Sequence, residues 1–462
     1  MSNSIVAMNE NKAKQVISKM VVEFSRIILG LTFVFSGFVK LVDPYGTAYK
    51  IEDYFSAFGL TSFNFISMPL SFLQSAIEFI MGVFLLLGIY RKINSRLLLL
   101  VMIFMTGLTL YLAIANPVKD CGCFGDALIL TNWETFYKNI ILLLCSIVIF
   151  FKYESISNFY TGKTYWMAFL YIVIFSFVFQ VYNYVYDPII DFRPYKIGNH
   201  LPDLMKVEEG KGPIDESVLV YEKDGVEKEF SQDNFPWEDS TWTFVRMDTK
   251  VIQEGEIPLV HDFTINHLQF NKEESDYTNR LDITESVLAD SNYVFLMISP
   301  SLTNMDKTYL SNFEDVMNYA MEFHYRFYCL TASVTTDIVA WEKENAVDLN
   351  FCQVDERTLK TIIRTNPGLV LLKNGTVINK WADIETPAEE NLTTSLDKLP
   401  YGQMIDAKKA NKENIIYICL IFMLPLLLLK GFDLLLFHKA PIEEKMRKVI
   451  GKDDDKTEAK DE

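Results

Sequence analysis

Between two long apolar runs, the chain reads Asp120-Cys121-Gly122-Cys123-Phe124-Gly125-Asp126. Both runs are long enough to span a membrane, so this stretch is expected to form a short loop at a membrane surface. Two cysteines one residue apart, beside flexible glycines, are the only compact group in the sequence that suits redox or metal chemistry. The stretch therefore predicts both a membrane architecture and the position of a functional site.

Apolar runs of this kind recur along the 462 residues of the chain. A segment of roughly 20 apolar residues crosses a hydrocarbon core of about 30 Å. We predict six transmembrane helices, at residues 20–42, 68–89, 97–116, 135–151, 164–186 and 414–437. Leu97–Ala115 contains no charged residue, which does not fit a buried helix of a soluble protein.

Basic residues in the short loops predict the orientation, because Lys and Arg favour the cytoplasmic side of a membrane. One side carries the basic residues of segment 1–19, of two loops and of the tail 438–462. The short loops on the other side have only Lys50 and Lys119. We predict a bacterial inner-membrane protein with both termini in the cytoplasm and residues 187–412 in the periplasm, where a disulfide can persist. The charged tail is predicted to be disordered.

Charge is distributed unevenly along the chain. The net charge is -17, although half of the residues are hydrophobic. Residues 187–412 hold 40 acidic residues against 22 basic ones, and the rest of the chain is close to neutral. An acidic domain is a poor partner for nucleic acid, whose phosphates need cations. The predicted partners are therefore the lipid bilayer and an envelope protein that binds the soluble part.

The soluble part divides into two patterns. Residues 187–290 contain short alternating stretches separated by Gly, Pro and acidic turns, which is typical of a β-rich subdomain. After it, strands alternate with helices, which predicts a mostly parallel sheet within residues 291–412. The expected strands are Tyr293–Ser299, Arg326–Ala332, Leu349–Val354, Gly368–Leu372 and Val377–Trp381, with helices at 308–323, 335–345 and 356–364.

The membrane segment 20–151 resembles the DoxX/MauE family of bacterial membrane proteins. The matching residues are Arg26, Gly30, Ser36-Gly37, Lys40-Leu41, Glu78, Gly82 and Cys121-Gly122-Cys123-Phe124-Gly125. The resemblance implies a four-helix bundle associated with thiol–disulfide or electron-transfer chemistry of the cell envelope. The helices at 164–186 and 414–437 would then flank the soluble part.

Residues 291–383 resemble a thioredoxin fold. The best match is Asn366-Pro367-Gly368-Leu369-Val370-Leu371-Leu372-Lys373-Asn374-Gly375, and the resemblance implies that Pro367 shapes a client-binding edge. Ser299-Pro300-Ser301-Leu302-Thr303-Asn304 stands where a Cys-x-x-Cys would open the helix, so the dithiol reaction of thioredoxins is not expected. The whole layout resembles bacterial proteins of unassigned function that join both parts, and Asp191-Phe192-Arg193 begins a stretch characteristic of them.

Cys121 and Cys123 can close only a small, strained disulfide ring. Strain raises the reduction potential, so such a disulfide would be oxidising and readily exchanged. Gly122 relieves part of the backbone cost. Three interpretations remain open: a redox pair, a metal site, and a structural loop whose thiols never cycle. Zinc is disfavoured because no second Cys or His pair lies nearby in the sequence.

Three charged residues lie within the predicted helices. Lys40 is expected either to reach the cysteine loop and favour a thiolate, or to serve as a plain interfacial anchor. Arg26 and Glu78 lie deeper, where an unpaired charge is costly, so they are expected to face the bundle interior and to pair with each other. This pair has either a structural role or a role as a proton relay or quinone contact.

Cys329 and Cys352 lie on two predicted strands that are neighbours in thioredoxin-like sheets. Two interpretations are open for them. They form a disulfide or a thiol pair served by the membrane dithiol, or they are independent thiols of the core.

Two functional hypotheses follow. In the first, Cys121 and Cys123 exchange electrons with a membrane carrier such as quinone, and the soluble domain binds a client along the edge near Pro367. In the second, the protein is a non-enzymatic envelope scaffold whose degenerate thioredoxin-like domain binds other proteins. Substrate transport ranks third because only Arg26 and Glu78 suggest a polar pathway. Whether the protein is an enzyme depends on whether the thiols cycle.

Overall fold

The computed structural model describes residues 2–118, 120–207, 211, 214–223, 226–231, 241–253, 255, 257–271, 276–345, 347 and 349–437. The chain separates into two compact units. The first unit comprises Met1–Arg193 with Asp406–Glu462, and the second comprises Pro194–Ile405. The tail 438–462, which the sequence predicts to be disordered, lies outside the described residues.

The described α-helices are α1 Ser2–Val42, α2 Pro44–Ala57, α3 Ser67–Leu87, α4 Arg91–Ala115, α5 Asn132–Lys152, α6 Tyr165–Val185, α7 Leu201–Leu204, α8 Thr284–Leu288, α9 Leu310–Glu322, α10 Thr335–Asn345, α11 Glu356–Ile362 and α12 Ala407–Phe437. Local signals mark several of their ends. Asp43 accepts a hydrogen bond from the amide of Gly46 at the start of α2, and Pro44 occupies the first turn. Thr131 and Glu134 form a capping box at the start of α5.

In the first unit, the described residues include six helices that are long and apolar enough to cross a membrane. They lie at Ala13–Val42, Thr61–Leu87, Arg91–Ala115, Asn132–Ser155, Tyr165–Val185 and Ala407–Leu435. Each contains most or all of one predicted run. The prediction of a multi-pass membrane protein with six such helices is confirmed, because length and apolarity are properties of contiguous sequence.

Helices α1 and α3 pack closely because glycines lie at their contact. A Cβ atom at Gly82 would lie 2.6 Å from the backbone nitrogen of Val34, and one at Gly37 would clash with the backbone of Phe79. Small residues allow this approach, which in a bilayer is stabilised by van der Waals contact between helices. The close packing brings Ser36 and Lys40 of α1 next to Glu78 of α3.

We expect Gly37→Ala to destabilise the protein, because the added methyl group would push α1 away from the backbone of α3. Overpacking of this kind costs about 1–3 kcal/mol. Gly107→Ala in α4 is the matched control, since no atom lies within 4 Å of a Cβ at that position. Thermal unfolding in detergent measures both variants. Equal unfolding temperatures for the two variants would contradict the close packing.

A buried carboxylate attaches α12 to the chain before α6. Asp433 is fully buried and accepts hydrogen bonds from the Thr161 hydroxyl at 2.5 Å and the Thr164 hydroxyl at 2.8 Å. Its other oxygen lies 3.2 Å from the ammonium of Lys430. These partners compensate the cost of burying the charge, so Asp433 fixes the carboxyl-terminal end of α12 to the membrane unit.

The described strands are β1 Ile214–Lys223, β2 Val226–Ser231, β3 Thr243–Gln253, β4 Asn266–Asn271, β5 Asp276–Asp282, β6 Tyr293–Ser299, β7 Arg326–Thr331, β8 Phe351–Gln353, β9 Gly368–Lys373 and β10 Thr376–Ala382. They form a three-stranded sheet of order β2-β1-β3 and a seven-stranded sheet of order β10-β9-β6-β7-β8-β4-β5. Strands β6, β7 and β8 are parallel, and the remaining neighbours are antiparallel.

The strands and helices after residue 290 alternate as predicted. The expectation of a mostly parallel sheet is wrong, because two of the six neighbouring pairs in this described sheet, β6-β7 and β7-β8, are parallel and the other four are antiparallel. Strands β9 and β10 form an antiparallel hairpin, in which Asn374 and Gly375 both have positive φ, as its tight turn requires. The boundary expected between residues 290 and 291 is wrong, because β4 pairs with β8 and so places residues 266–282 in the same sheet. Strand pairing at long sequence separation has no local signal in the sequence.

Candidate functional site

The cysteine loop lies between α4 and α5 and is attached to α1 and α2 by three side chains. Ser36 of α1 lies 2.6 Å from the carbonyl oxygen of Cys123, and the Tyr54 hydroxyl of α2 donates to the carbonyl of Cys121 at 2.8 Å. The ammonium of Lys50 is 3.1 Å from the carboxylate of Asp120. These contacts hold the backbone on both sides of Gly122.

Gly122 has to be glycine for two reasons. Its φ of +66° lies in the left-handed region, which residues with a side chain rarely adopt. A Cβ atom at this position would also lie 2.7 Å from Cγ of Lys50. The Asp120 carboxylate accepts a hydrogen bond from the Gly122 amide at 2.8 Å, which stabilises this turn. The turn places the two cysteine side chains on the same side of the loop.

The sulfur atoms of Cys121 and Cys123 are 2.8 Å apart, and both cysteines are free thiols. The hydrogen bond from the Cys121 thiol lowers the pKa of Cys123, and the cations of Lys138 and Lys40 act in the same direction. The same hydrogen bond, together with burial, raises the pKa of Cys121. The contact therefore favours a thiolate at Cys123 over one at Cys121, which is the polarity that thiol–disulfide exchange uses.

The charge pair in the bundle differs from the predicted one. Lys40, which is 4% exposed, places its ammonium 2.7 Å from both carboxylate oxygens of Glu78. Gln74 and Ser36 also contact this carboxylate, at 3.0 and 2.8 Å. Lys40 thus lies inside the bundle, where its ammonium pairs with Glu78 and also lowers the pKa of Cys123 in the loop.

The predicted pair of Arg26 and Glu78 is wrong. Arg26 forms an ion pair with Glu23 at 3.1 Å and donates to the carbonyl oxygens of Leu85 and Leu86 at 3.0 and 2.6 Å. It also contacts Ser157 before α6. The reason is the position of Arg26 along α1. It lies almost four turns before Lys40 and therefore meets α3 at Leu85 and Leu86, beyond Glu78.

A cleft of about 430 Å³ reaches the cysteine loop. Its lining includes both cysteines and the charged side chains of Lys40, Glu78 and Arg193. Its apolar wall comes from two helices, with Leu70, Leu73 and Ile77 on α3 and Val101, Phe104 and Leu108 on α4. An apolar cleft with a few convergent polar groups is the usual form of a small-molecule site.

Arg193 contributes a donor without a partner to this cleft. Its side chain is 1% exposed and pairs with Asp191, with Nε 2.7 Å from one carboxylate oxygen. Its Nη1 atom is buried and has no hydrogen-bond partner among the described residues. Such a donor costs about 1–3 kcal/mol when it is left unsatisfied. A ligand that carries an acceptor oxygen therefore fits this end of the cleft.

Cys329 and Cys352 do not form a pair, so of the two open interpretations the structure supports independent core thiols and not a disulfide or thiol pair. The strands β7 and β8 are neighbours, but Cys352 lies opposite Leu330 in the register, one residue beyond Cys329. Successive side chains of a strand point to opposite faces of a sheet. Cys329 consequently packs in the core on one face and Cys352 in the core on the other. Both are fully buried, independent core thiols.

The edge near Pro367 contains no thiol within the described residues. The Asn366–Pro367 bond is cis, the Ser299 hydroxyl donates to the side chain of Asn366 at 2.7 Å, and Asn366 donates to the carbonyl of Ser301 at 2.9 Å. These hydrogen bonds attach the loop after β6 to the segment before β9. In the described part of the chain, no three His, Cys, Asp or Glu residues are placed to hold a metal ion.

Sequence reasoning missed several site residues, namely Gln74, Lys50, Tyr54, Lys138 and Arg193. Ser36 was noted only as part of a motif. One signal was present, because Ser36 and Lys40, and likewise Gln74 and Glu78, are four residues apart and share a helix face. No local signal indicates that Arg193, far along the chain, lines the same cleft.

The six apolar helices, with a cysteine loop attached to α1 and α2, define a multi-pass membrane protein. Residues 18–152 match the family described as Methylamine utilisation protein MauE, and residues 215–254 match a Domain of unknown function (DUF8463). The membrane part of this protein is therefore MauE-like.

The comparisons with whole proteins add little. The search of curated proteins found no match. Among solved structures, the mitochondrial 2-Cys peroxiredoxin from Plasmodium falciparum matches with 13% identity and a TM-score of 0.19. That match covers 35% of this chain and 92% of the peroxiredoxin. A TM-score this low supports no conclusion about fold or function.

Proposed function

We propose that the protein is a bacterial inner-membrane thiol–disulfide exchange protein that acts through Cys121 and Cys123 in the periplasm. The observation that carries the proposal is the polarised contact between the two thiols. The 2.8 Å contact between the sulfurs favours the negative charge at Cys123 and the proton at Cys121, and the cations of Lys138 and Lys40 favour the Cys123 thiolate further. A structural loop needs neither the sulfur contact nor the buried cation.

The exchange reaction proceeds through a mixed disulfide. The Cys123 thiolate attacks a client disulfide, forms a Cys123–client bond and releases one client thiolate. Cys121 then loses its proton, attacks the Cys123 sulfur and releases the second client thiolate, so two electrons pass to the client. Run in reverse, the same steps oxidise a client dithiol, and this is the direction that a strained ring favours.

The carrier that reoxidises the pair is, in this proposal, a membrane quinone. A bound quinone would supply two-electron, two-proton redox chemistry, which matches the two electrons and two protons released when a dithiol closes. Gln74, Lys40 and Arg193 would hold its oxygens at the polar end of the cleft, and the apolar wall would hold its ring and tail.

The soluble unit has, in this proposal, a thioredoxin-like fold that binds clients without reacting with them. The strand order β9-β6-β7-β8 supports this fold, because three central strands are parallel and an antiparallel hairpin follows at the end. The scaffold hypothesis draws on a separate observation, since Ser299 replaces a cysteine and the two core thiols lie on opposite faces. Both hypotheses thus assign protein binding to this unit and differ only in the membrane dithiol.

We expect part of the protein in growing cells to carry a Cys121–Cys123 disulfide. Cells are quenched in acid and alkylated with a maleimide, and the loop peptide is analysed by mass spectrometry. The disulfide fraction should escape alkylation until a reductant is added. Cys419→Ser in α12 is the matched control, because that exposed thiol takes no part and its loss leaves the protected fraction unchanged. A pair that is fully reduced under all growth conditions would favour the scaffold.

A further inference from the structure

The cleft beside the cysteine loop has an open side within the membrane-spanning part of the bundle. Leu73 and Ile77 of α3 are 53% and 42% exposed, and Phe104 of α4 is 66% exposed. All three line the cleft, and all lie on helices that cross the membrane. Exposed apolar side chains at such positions face lipid, so the opening between α3 and α4 leads into the bilayer.

The lining of the cleft also includes polar side chains and the two thiols. Cys121, Cys123, Lys40 and Glu78 line it. In this region, the fully buried Arg193 offers Nη1 without a hydrogen-bond partner among the described residues. The cleft therefore suits a molecule that is soluble in lipid, carries an acceptor oxygen on its head group and reacts with a dithiol.

We propose that the opening between α3 and α4 is the entrance through which a quinone reaches Cys121 and Cys123 from the bilayer, and that Arg193 Nη1 donates to a quinone oxygen. This inference rests on the function proposed above and gives its carrier a binding site. On reaction, the Cys121–Cys123 disulfide forms, and the thiolate and thiol together give up two electrons and one proton. The quinone takes up these electrons, that proton and a second proton from water, and becomes the quinol.

The test uses the full-length protein, reduced and placed in nanodiscs of quinone-free phosphatidylcholine, with decyl-ubiquinone as the probe. Disulfide closure is followed by maleimide quenching, and each rate is divided by the closure rate of the same variant with the water-soluble oxidant diamide. Leu73→Trp should lower this relative rate about tenfold, equivalent to about 1.4 kcal/mol of transition-state binding. Leu100→Trp is the matched control, since Leu100 is 68% exposed on α4 and does not line the cleft.

Arg193→Lys tests the head-group contact separately. Lysine keeps the charge that pairs with Asp191 but lacks the free Nη1 donor, so the KM for decyl-ubiquinone should rise about tenfold, with a smaller change in kcat. This split would not arise from a merely structural role, which would change the folded fraction.

Three results would overturn the inference. One is that the Leu73→Trp and Arg193→Lys variants have the same relative closure rate and the same KM for decyl-ubiquinone as the wild type. Another is a wild-type pair that diamide closes and decyl-ubiquinone does not, as expected if the cleft holds only a phospholipid acyl chain. A third is an equal loss of rate in the Leu100→Trp control. The second result would also remove the quinone from the proposed function, but none of the three removes thiol–disulfide exchange by Cys121 and Cys123. That exchange fails instead if the thiols stay reduced in cells and form no mixed disulfide.

Discussion

Replacing Cys121 with serine will trap mixed disulfides through Cys123, whereas replacing Cys123 with serine will trap few or none. Cys123 carries the thiolate, and a serine hydroxyl at position 121 can still donate the hydrogen bond that lowers the pKa of Cys123. Without the Cys121 thiol, the mixed disulfide has no intramolecular attacker and persists. In the opposite variant, the contact with the Cys123 thiol that raises the pKa of Cys121 is lost, but burial still raises that pKa and shields the sulfur, so Cys121 reacts slowly.

The measurement is alkylation of cell lysates followed by non-reducing gels and mass spectrometry of the captured proteins. The depressed pKa also predicts a pH dependence, because Cys123 will remain reactive as the pH falls below the usual thiol range of about 8–9, while Cys121 will not. The double serine variant is the control and should give no adducts. A higher yield from Cys123→Ser than from Cys121→Ser would reverse the assignment of the two sulfurs.

Glu78→Leu and Lys40→Met will each destabilise the membrane unit strongly, and the double variant will recover most of the loss. Each single change leaves one buried charge without its partner, which costs about 3–5 kcal/mol. Removing both charges leaves no unpaired group, and replacing a buried pair with apolar residues is often neutral or stabilising. Thermal unfolding of the purified protein in detergent, analysed as a double-mutant cycle, measures the coupling.

The pair of Arg26 and Glu23 offers a matched control for this cycle. The Glu23 side chain is 32% exposed, so Glu23→Leu should cost about 1 kcal/mol or less, as surface ion pairs usually do. Additive effects of Lys40→Met and Glu78→Leu would contradict the close contact between them. A strong coupling between Arg26 and Glu78 would restore the pairing that the sequence suggested.

Local sequence properties determined the elements of this protein. The six apolar runs predicted six helices, and the alternation after residue 290 predicted β6 to β10 with small errors at their ends. The same holds for the spacing of Cys121 and Cys123, since residues two apart meet in a turn whatever the rest of the chain does. These features depend on hydrophobicity, periodicity and turn chemistry, which operate within a few residues.

Tertiary structure decided which of these elements meet. Whether Glu78 pairs with Arg26 or with Lys40 depends on how far α1 slides along α3, and the contact at Gly37 and Gly82 sets that position. Whether Cys329 can reach Cys352 depends on a register shift of one residue between β7 and β8, which sends the two thiols to opposite faces. Arg193 reaches the cleft only because the chain after α6 returns to the cysteine loop. Such contacts join residues far apart in sequence, and their energies depend on distances that a linear pattern does not contain.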